Sequence, residues 1–167
     1  MIMLLGSKSK LGKEINEYLK KDFSIKSFDK KSLDICNLEQ LKKKLDLNKP
    51  KILINTAAFT KVDLAEKQRK KALETNGHAT GLIAHECYKR KIMFIHFSTD
   101  YVFNGLKTTP YLESDNPDPI NYYGYSKLYG EQEIIKSNCY YFIFRISWLI
   151  SIKGKDFIKT ILNKALN

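Results

Sequence analysis

Arginine and cysteine are scarce in this 167-residue chain, and no long apolar run is present. The three cysteines, Cys36, Cys87 and Cys139, are odd in number and widely spaced. With no Cys-x-x-Cys pair and no Cys/His ligand spacing, they exclude a disulfide framework and a zinc site, so no metal is expected. Reduced thiols suit the cytoplasm. The first apolar run, Ile2 to Leu5, is too short for a signal peptide or a membrane span. No other stretch approaches ~20 apolar residues, so a soluble protein with no membrane partner is expected. Arginine occurs only at positions 69, 90 and 145, although the formal net charge is +11. Such a charge invites a nucleic-acid reading, yet specific sites of that kind combine arginine with aromatic platforms. Here the charge is lysine, scattered through every segment, and its densest runs (Lys42 to Lys44, Lys67 to Lys71) fall in predicted amphipathic helices. They read as solvated faces with no nucleic-acid partner. A basic surface still attracts an anionic, phosphate-bearing substrate.

What is present is a globular composition, 43% hydrophobic and 12% aromatic, in one expected domain spanning 1–167. Strand and helix patterns alternate. Strands are expected at Met1–Leu5, Ser24–Phe28, Lys51–Asn55, Ile92–Ser98 and Tyr140–Ile146. Helices are expected at Leu11–Lys21, Leu38–Leu47, Val62–Lys91 (in two pieces broken near Asn76-Gly77), Tyr122–Lys136 and Phe157–Leu166. Repeated βα units predict a Rossmann-like, doubly wound parallel sheet with helices on both faces, a three-layer α/β/α fold. Residues 104–121, with Gly105, Pro110, Pro117 and Pro119, read as a loop long enough to suspect function.

The first βα turn, Leu5-Gly6-Ser7-Lys8-Ser9-Lys10-Leu11-Gly12, has the span of a Gly-x-x-Gly-x-x-Gly phosphate loop. Gly6 permits the tight turn and Gly12 close helix–strand packing, with helix N-terminal amides available to a pyrophosphate. Ser9 replaces the middle glycine; its side chain either crowds the phosphates or binds one. The second strand ends at Asp29, where a carboxylate accepts ribose hydroxyls. Lys30 and Lys31 follow, either as exposed loop lysines or as partners of a 2′-phosphate, so NADPH and NADH stay equally open. Asp34-Ile35 lies where a crossing chain touches adenine, or else Asp34 only opens a helix. The small residues of Asn55-Thr56-Ala57-Ala58-Phe59-Thr60 allow a dinucleotide to pass close to the backbone.

Downstream, Tyr123 and Lys127 sit four apart, on one face of a helix. A lysine ammonium beside a phenol lowers the tyrosine's pKa, and Thr99, at a strand end, completes a three-group site suited to protonating a carbonyl oxygen during its reduction. Asp63 and Glu66 read as a structural helix start, and Arg145 as an ion-pair partner. His78, His85 and His96 share no ligand spacing and receive no chemistry.

With Asn55–Glu66, Phe97–Gly105, Tyr123–Glu131 and Phe144–Trp148 in order, the chain resembles the dTDP-4-dehydrorhamnose reductases, members of the extended short-chain dehydrogenase/reductases. The resemblance implies reduction of the C4 keto group of a dTDP-4-keto-6-deoxy sugar by NADPH or NADH, in dTDP-L-rhamnose and polysaccharide biosynthesis. It implies Tyr123 as the acid, Lys127 on the nicotinamide ribose and Thr99 on the reacting oxygen. It also implies Lys10, Leu11, Thr60, Asn76 and Ser98 along the cofactor, and Asp100, Tyr101, Val102 and Trp148 near the substrate. Trp148 is equally compatible with core packing.

Ile150 stands where that family has tyrosine, and Asp156 where it has asparagine. Family members also run far longer, which implies that the substrate lobe lies outside these residues and that the chain alone has little to hold dTDP; either the residues are a fragment of a longer gene product, or a homodimer or a complementing chain completes them. A non-catalytic NAD(P)-binding regulatory subunit of the same fold is the alternative. A dehydratase is disfavoured, because Tyr101 rather than glutamate follows Asp100.

Overall fold

The apolar tetrads and their spacing build a five-stranded sheet. The computed structural model describes residues 1–150 and 157–166; Asp156 lies outside them. Strands β1 (Ile2–Leu5), β2 (Ile25–Phe28), β3 (Ile52–Asn55), β4 (Met93–Thr99) and β5 (Tyr141–Ile146) are all parallel, in the order β2-β1-β3-β4-β5. All four side chains of β1 are buried, as a central parallel strand covered on both faces requires. Helices α1 (Lys10–Leu19), α2 (Leu38–Asn48), α3 (Val62–Lys67), α4 (Arg69–Leu73), α5 (Ala79–Arg90), α6 (Tyr122–Lys136) and α7 (Phe157–Ala165) complete the described elements.

Alternation along the strands splits the core in two. Met3, Leu5, Leu53 and Phe94 face Leu41 and Leu45 of α2, Ile83 and Cys87 of α5 and Ile134 of α6. Ile2, Leu4 and Ile54 face the other way, against Ile15 and Leu19 of α1. This is the expected doubly wound, three-layer arrangement. Helix starts are chemically marked: Ser9, Asn37 and Asn121 each accept the amide hydrogen of the residue three positions on. Lys49 and Lys91 close α2 and α5 in the left-handed region.

One expectation is corrected. The 62–91 segment does not break at Asn76-Gly77; it breaks at Gln68 (φ −117°, ψ 47°). Glu74–His78 instead form a π-helical turn that runs on into α5. The extra residue in that turn carries the Asn76 side chain onto the backbone of Phe59, where Oδ1 accepts from N–H (2.7 Å) and Nδ2 donates to the carbonyl (3.0 Å). The 104–121 loop is braced within itself by Lys107–Asp115 (2.5 Å), Asn104–Asp118 (3.0 Å) and a Phe103–Tyr111 stack.

Because β1 leads outward to β2 while β3 lies on its other side, the sheet has a switch point between β1 and β3. In open α/β sheets ligands bind in the crevice at the strands' carboxyl ends at such a point.

Candidate active site

That crevice is present, and its first half is a cavity of about 290 Å³. Gly6, Ser9, Asp29, Lys30, Asp34, Ile35, Ala57, Ala58 and Thr60 line it, all named from sequence. Its second half, about 450 Å³, is lined by Ser9, Lys10, Leu11, Ala58, Thr60, Ser98, Thr99, Asp100, Tyr101, Tyr123, Lys127 and Trp148. The halves share Ser9, Thr56, Ala58 and Thr60, so they form one continuous groove across the switch point.

Two observations show that its walls suit a ligand passing close to the backbone. Gly6 has φ +76°, and a Cβ there would lie 2.5 Å from the Ala57 nitrogen, so only glycine fits this turn. In the second half Ser98 Oγ is buried without a hydrogen-bond partner among the described residues, an orphaned polar atom that a bound group would satisfy.

At the first end, Asp29 accepts from Ser32 N–H (2.9 Å) and Ser32 Oγ (2.8 Å) and pairs with Lys8 at 2.5 Å. The Lys8 ammonium, helped by Ser32, holds the Asp29 carboxyl well below the usual carboxylate range. Lys30 reaches Asp34 at 3.8 Å. Lys8 was not among the residues named from sequence; its position two residues after Gly6 gave no sign that it would fold back onto β2.

At the other end, Asn121 caps α6 so that Tyr123 and Lys127 both face the groove. A Cβ at Gly124 would lie 2.1 Å from the Tyr101 carbonyl oxygen, which locks α6 against the 3₁₀ turn Asp100–Val102. Tyr101 stands edge-on to Tyr123, ring centroids 5.8 Å apart. Thr99 Oγ1 donates to Asp100 (3.0 Å) and accepts from Tyr101 N–H (3.2 Å). Ser147 Oγ donates to the other Asp100 oxygen (2.8 Å).

The expected effect of Lys127 on Tyr123 is corrected. Burial pushes the Tyr123 phenol up from its ordinary value; a hydrogen bond with the Thr99 hydroxyl pulls it down, and Asp100 raises it further. The Lys127 ammonium is instead turned inward, to the Phe97 carbonyl (2.6 Å) and His96 Nε2 (3.1 Å). Burial lowers Lys127 itself to about 8.

Four further residues named from sequence stand behind the groove. Asn76 spends its amide on Phe59 and on Ser126 Oγ (2.9 Å). Asn55, 1% exposed, holds Ala57 N–H (3.0 Å) and His96 Nδ1 (3.3 Å). Gly12 is buried with its N–H bound to Ser9 Oγ. Val102 is fully buried, its carbonyl taken by Asp118 N–H. All four shape the wall rather than present polar atoms to the groove. The Ser9 hydroxyl caps α1 and donates to Thr56 Oγ1 (3.1 Å) while Ser9 lines both halves of the groove. Trp148 is 68% exposed at the rim, which removes the core-packing reading.

Arg145 pairs with Glu131 at 2.7 Å, as expected, and lies over the Phe103 ring. Glu66 accepts from Tyr122 N–H (2.6 Å) and pairs with Arg69, tying α3 to the start of α6. His96, given no chemistry from sequence, lies at the centre of the site behind Lys127. The signal was a lone polar residue in the apolar run Ile92–Phe97, in register with Asn55 on β3. Among the described residues no His, Cys, Asp and Glu group could hold a metal, and no helix is long and apolar enough to cross a membrane.

Relatives share this architecture. The chain is 34% identical over 164 residues to a dTDP-4-dehydrorhamnose reductase of Burkholderia thailandensis, covering 98% of this chain and 55% of that protein. It is 36% identical to the Escherichia coli protein of the same name, covering 98% and 56%. A crystal structure of a Bacillus anthracis dTDP-4-dehydrorhamnose reductase in complex with NADP superposes with a TM-score of 0.93 at 39% identity, covering 97% of this chain and 58% of that one. The chain thus spans little more than half the length of these relatives. The family model described as RmlD substrate binding domain matches residues 1–167, and the chain belongs to that family.

Proposed function

We propose that this chain is the cofactor-binding and proton-donating part of a reductase that converts the C4 keto group of a dTDP-4-keto-6-deoxy sugar to an alcohol, in dTDP-L-rhamnose formation. The observation that carries the reading is the continuous groove from Asp29 to Tyr123, with a carboxylate and lysines at one end and a phenol at the other. Its length and polarity suit a dinucleotide lying with adenosine at Asp29, Asp34 and Ile35 and with nicotinamide beside Ser98, Tyr123 and Lys127. The relatives named above, one in complex with NADP, support the choice. When bound, the reduced nicotinamide supplies the hydride.

The chain's own residues do the rest. The Ala57-Ala58 backbone and Gly6 leave room for the phosphates, and Lys8 and Lys30 put positive charge where a 2′-phosphate would sit, favouring NADPH. Tyr123, protonated at neutral pH as any phenol is and raised further by burial, gives its proton to the C4 oxygen. Thr99 orients that oxygen, and Asp100, itself fixed by Thr99 and Ser147, shapes the site with Tyr101. Trp148 at the rim offers a face to the sugar. The dTDP moiety needs contacts from residues outside this chain, supplied by a further segment or a second copy. Remote binding energy of that kind positions the reacting carbon. Three free cysteines suit the cytoplasm.

The test is Tyr123→Phe in a full-length protein carrying this segment, assayed with NADPH and the dTDP-4-keto sugar. The rate should fall by roughly 10²–10⁴ with NADPH affinity nearly unchanged. Unchanged turnover would remove Tyr123 as the acid.

A further inference from the structure

An asparagine followed by glycine is open to attack by the glycine's own backbone nitrogen on Cγ, because no Cβ obstructs the five-membered ring that forms. The sequence holds two such pairs, Asn76-Gly77 and Asn104-Gly105, and the fold sets them in opposite surroundings. Asn76 is 1% exposed, and its amide is spent on Phe59 and Ser126. A Cβ at Gly77 would lie 2.8 Å from the Tyr129 ring, so that backbone has no room to move. Gly105 is exposed, in the 104–121 loop, with φ +76° and no atom within 4 Å of where a Cβ would stand. Its N–H meets no acceptor among the described residues, so the attacking nitrogen is not tied down.

The Asn104 amide, in contrast, is held in one orientation. Oδ1 accepts from Leu106 N–H (3.0 Å) and from the Tyr111 hydroxyl (3.0 Å), and Nδ2 donates to Asp118 (3.0 Å). The Leu106 amide can only donate and the Asp118 carboxylate only accept, so the group cannot be turned over. Tyr111 is fixed in turn: its hydroxyl accepts from Lys107 N–H (3.3 Å), which directs its own hydrogen at Asn104, and its ring stacks on Phe103 (4.2 Å). Two donors on one carbonyl oxygen stabilise the negative charge that grows there as Cγ becomes tetrahedral, the arrangement of an oxyanion hole. The leaving nitrogen faces Asp118, which is exposed to water.

We propose that Asn104 is a self-modification site, its amide lost to attack by the Gly105 nitrogen in a loop that polarises the amide for that reaction. The Gly105 nitrogen gives its proton to water and bonds to Cγ. The Cγ–Nδ2 bond breaks, and Nδ2 leaves as ammonia with a proton from solvent. Water then opens the succinimide at one carbonyl or the other, giving aspartate or isoaspartate. Either product places an oxygen where Nδ2 stood, 3.0 Å from Asp118, so an attraction becomes a repulsion between like charges. Isoaspartate also adds a methylene to the main chain next to Phe103, whose ring lies under Arg145. Asp118 N–H holds the Val102 carbonyl (2.9 Å), so the disturbance reaches the turn that carries Asp100 and Tyr101 into the groove. The loop therefore carries a slow, one-way change from a tied to an untied state, whatever ligand the groove takes.

Peptide mass spectrometry of the 167-residue chain kept at neutral pH, with isoaspartate counted by enzymatic methyl transfer, tests this without cofactor or substrate. Exchange of the amide nitrogen for oxygen should accumulate at Asn104 and not at Asn76. The same chain in urea is the reference, since unfolding strips the hydrogen bonds and gives both pairs like surroundings. Asn104 should convert faster in the folded chain than in urea. Tyr111→Phe keeps the ring stack but removes one donor, and should slow the folded reaction by about tenfold. Slower conversion in the folded chain than in urea would show that the loop protects the amide and would overturn the proposal. A Tyr111→Phe rate equal to or above the native one would overturn it as well.

Discussion

Replacing Lys127 with methionine should make the fold more stable while removing a group from the site. Lys127 is 2% exposed, and its folded-state pKa is depressed from 10.5 to about 8. At ~1.4 kcal/mol per pKa unit, carrying the ammonium inside costs about 3 kcal/mol at every pH below about 8. Methionine removes that cost, fills similar space, and forfeits the bonds to the Phe97 carbonyl and His96, worth about 1–2 kcal/mol together. The net expectation at pH 7 is a gain of about 1–2 kcal/mol.

The pH dependence has a definite sign. Between about 8 and 10.5 the folded native chain binds fewer protons at Lys127 than the unfolded one, so its stability climbs with pH across that window. The methionine variant lacks this climb, so its advantage is full below pH 8, vanishes within the window and becomes a deficit of about 1–2 kcal/mol above pH 10.5. Urea unfolding of both chains, followed by far-ultraviolet circular dichroism at several pH values, measures the difference directly. A methionine variant less stable than the native chain at pH 7, with the same slope between pH 8 and 10, would refute the claim that the buried ammonium burdens the fold. Such a trade of stability for function is common at active sites.

Two further outcomes follow from the groove. Lys30→Glu should weaken NADPH binding more than NADH binding, read by calorimetric titration with each; equal losses would show that Lys30 does not face a 2′-phosphate. Asn76→Ala removes three side-chain bonds, two to Phe59 and one to Ser126. It should lower unfolding stability by about 2–4 kcal/mol, and a loss under about 0.5 kcal/mol would show that the π-helical turn holds the loop without it.

The sheet and most of the groove were legible in the sequence because both depend on local patterns. The tetrads Ile2–Leu5 and Ile52–Asn55, the Gly6 turn and the Tyr123–Lys127 spacing each announce themselves within a few residues. What escaped depends on groups brought together from far apart. The Tyr123 phenol was expected to feel Lys127 because four residues bring them to one helix face. Periodicity does not reveal that β4 offers Lys127 a carbonyl and an imidazole instead. His96 was passed over for the same reason: its partners, Asn55 and Lys127, are 41 and 31 residues away. The break at Gln68 was misplaced because glycine at 77 looks like a helix breaker, whereas it serves close packing, a Cβ there meeting the Tyr129 ring at 2.8 Å.

The central claim, that the groove between Asp29 and Tyr123 is a nicotinamide-dinucleotide site, is tested most directly by titrating this chain with NADPH and NADH. Ala58 lines both halves of the groove, so Ala58→Trp, which would block it at the middle, is the control. Saturable one-to-one binding of at least one cofactor, lost in the tryptophan variant while the fold is retained, is the expected result. Absence of binding to either cofactor at millimolar concentration, or binding that the tryptophan leaves intact, would contradict it.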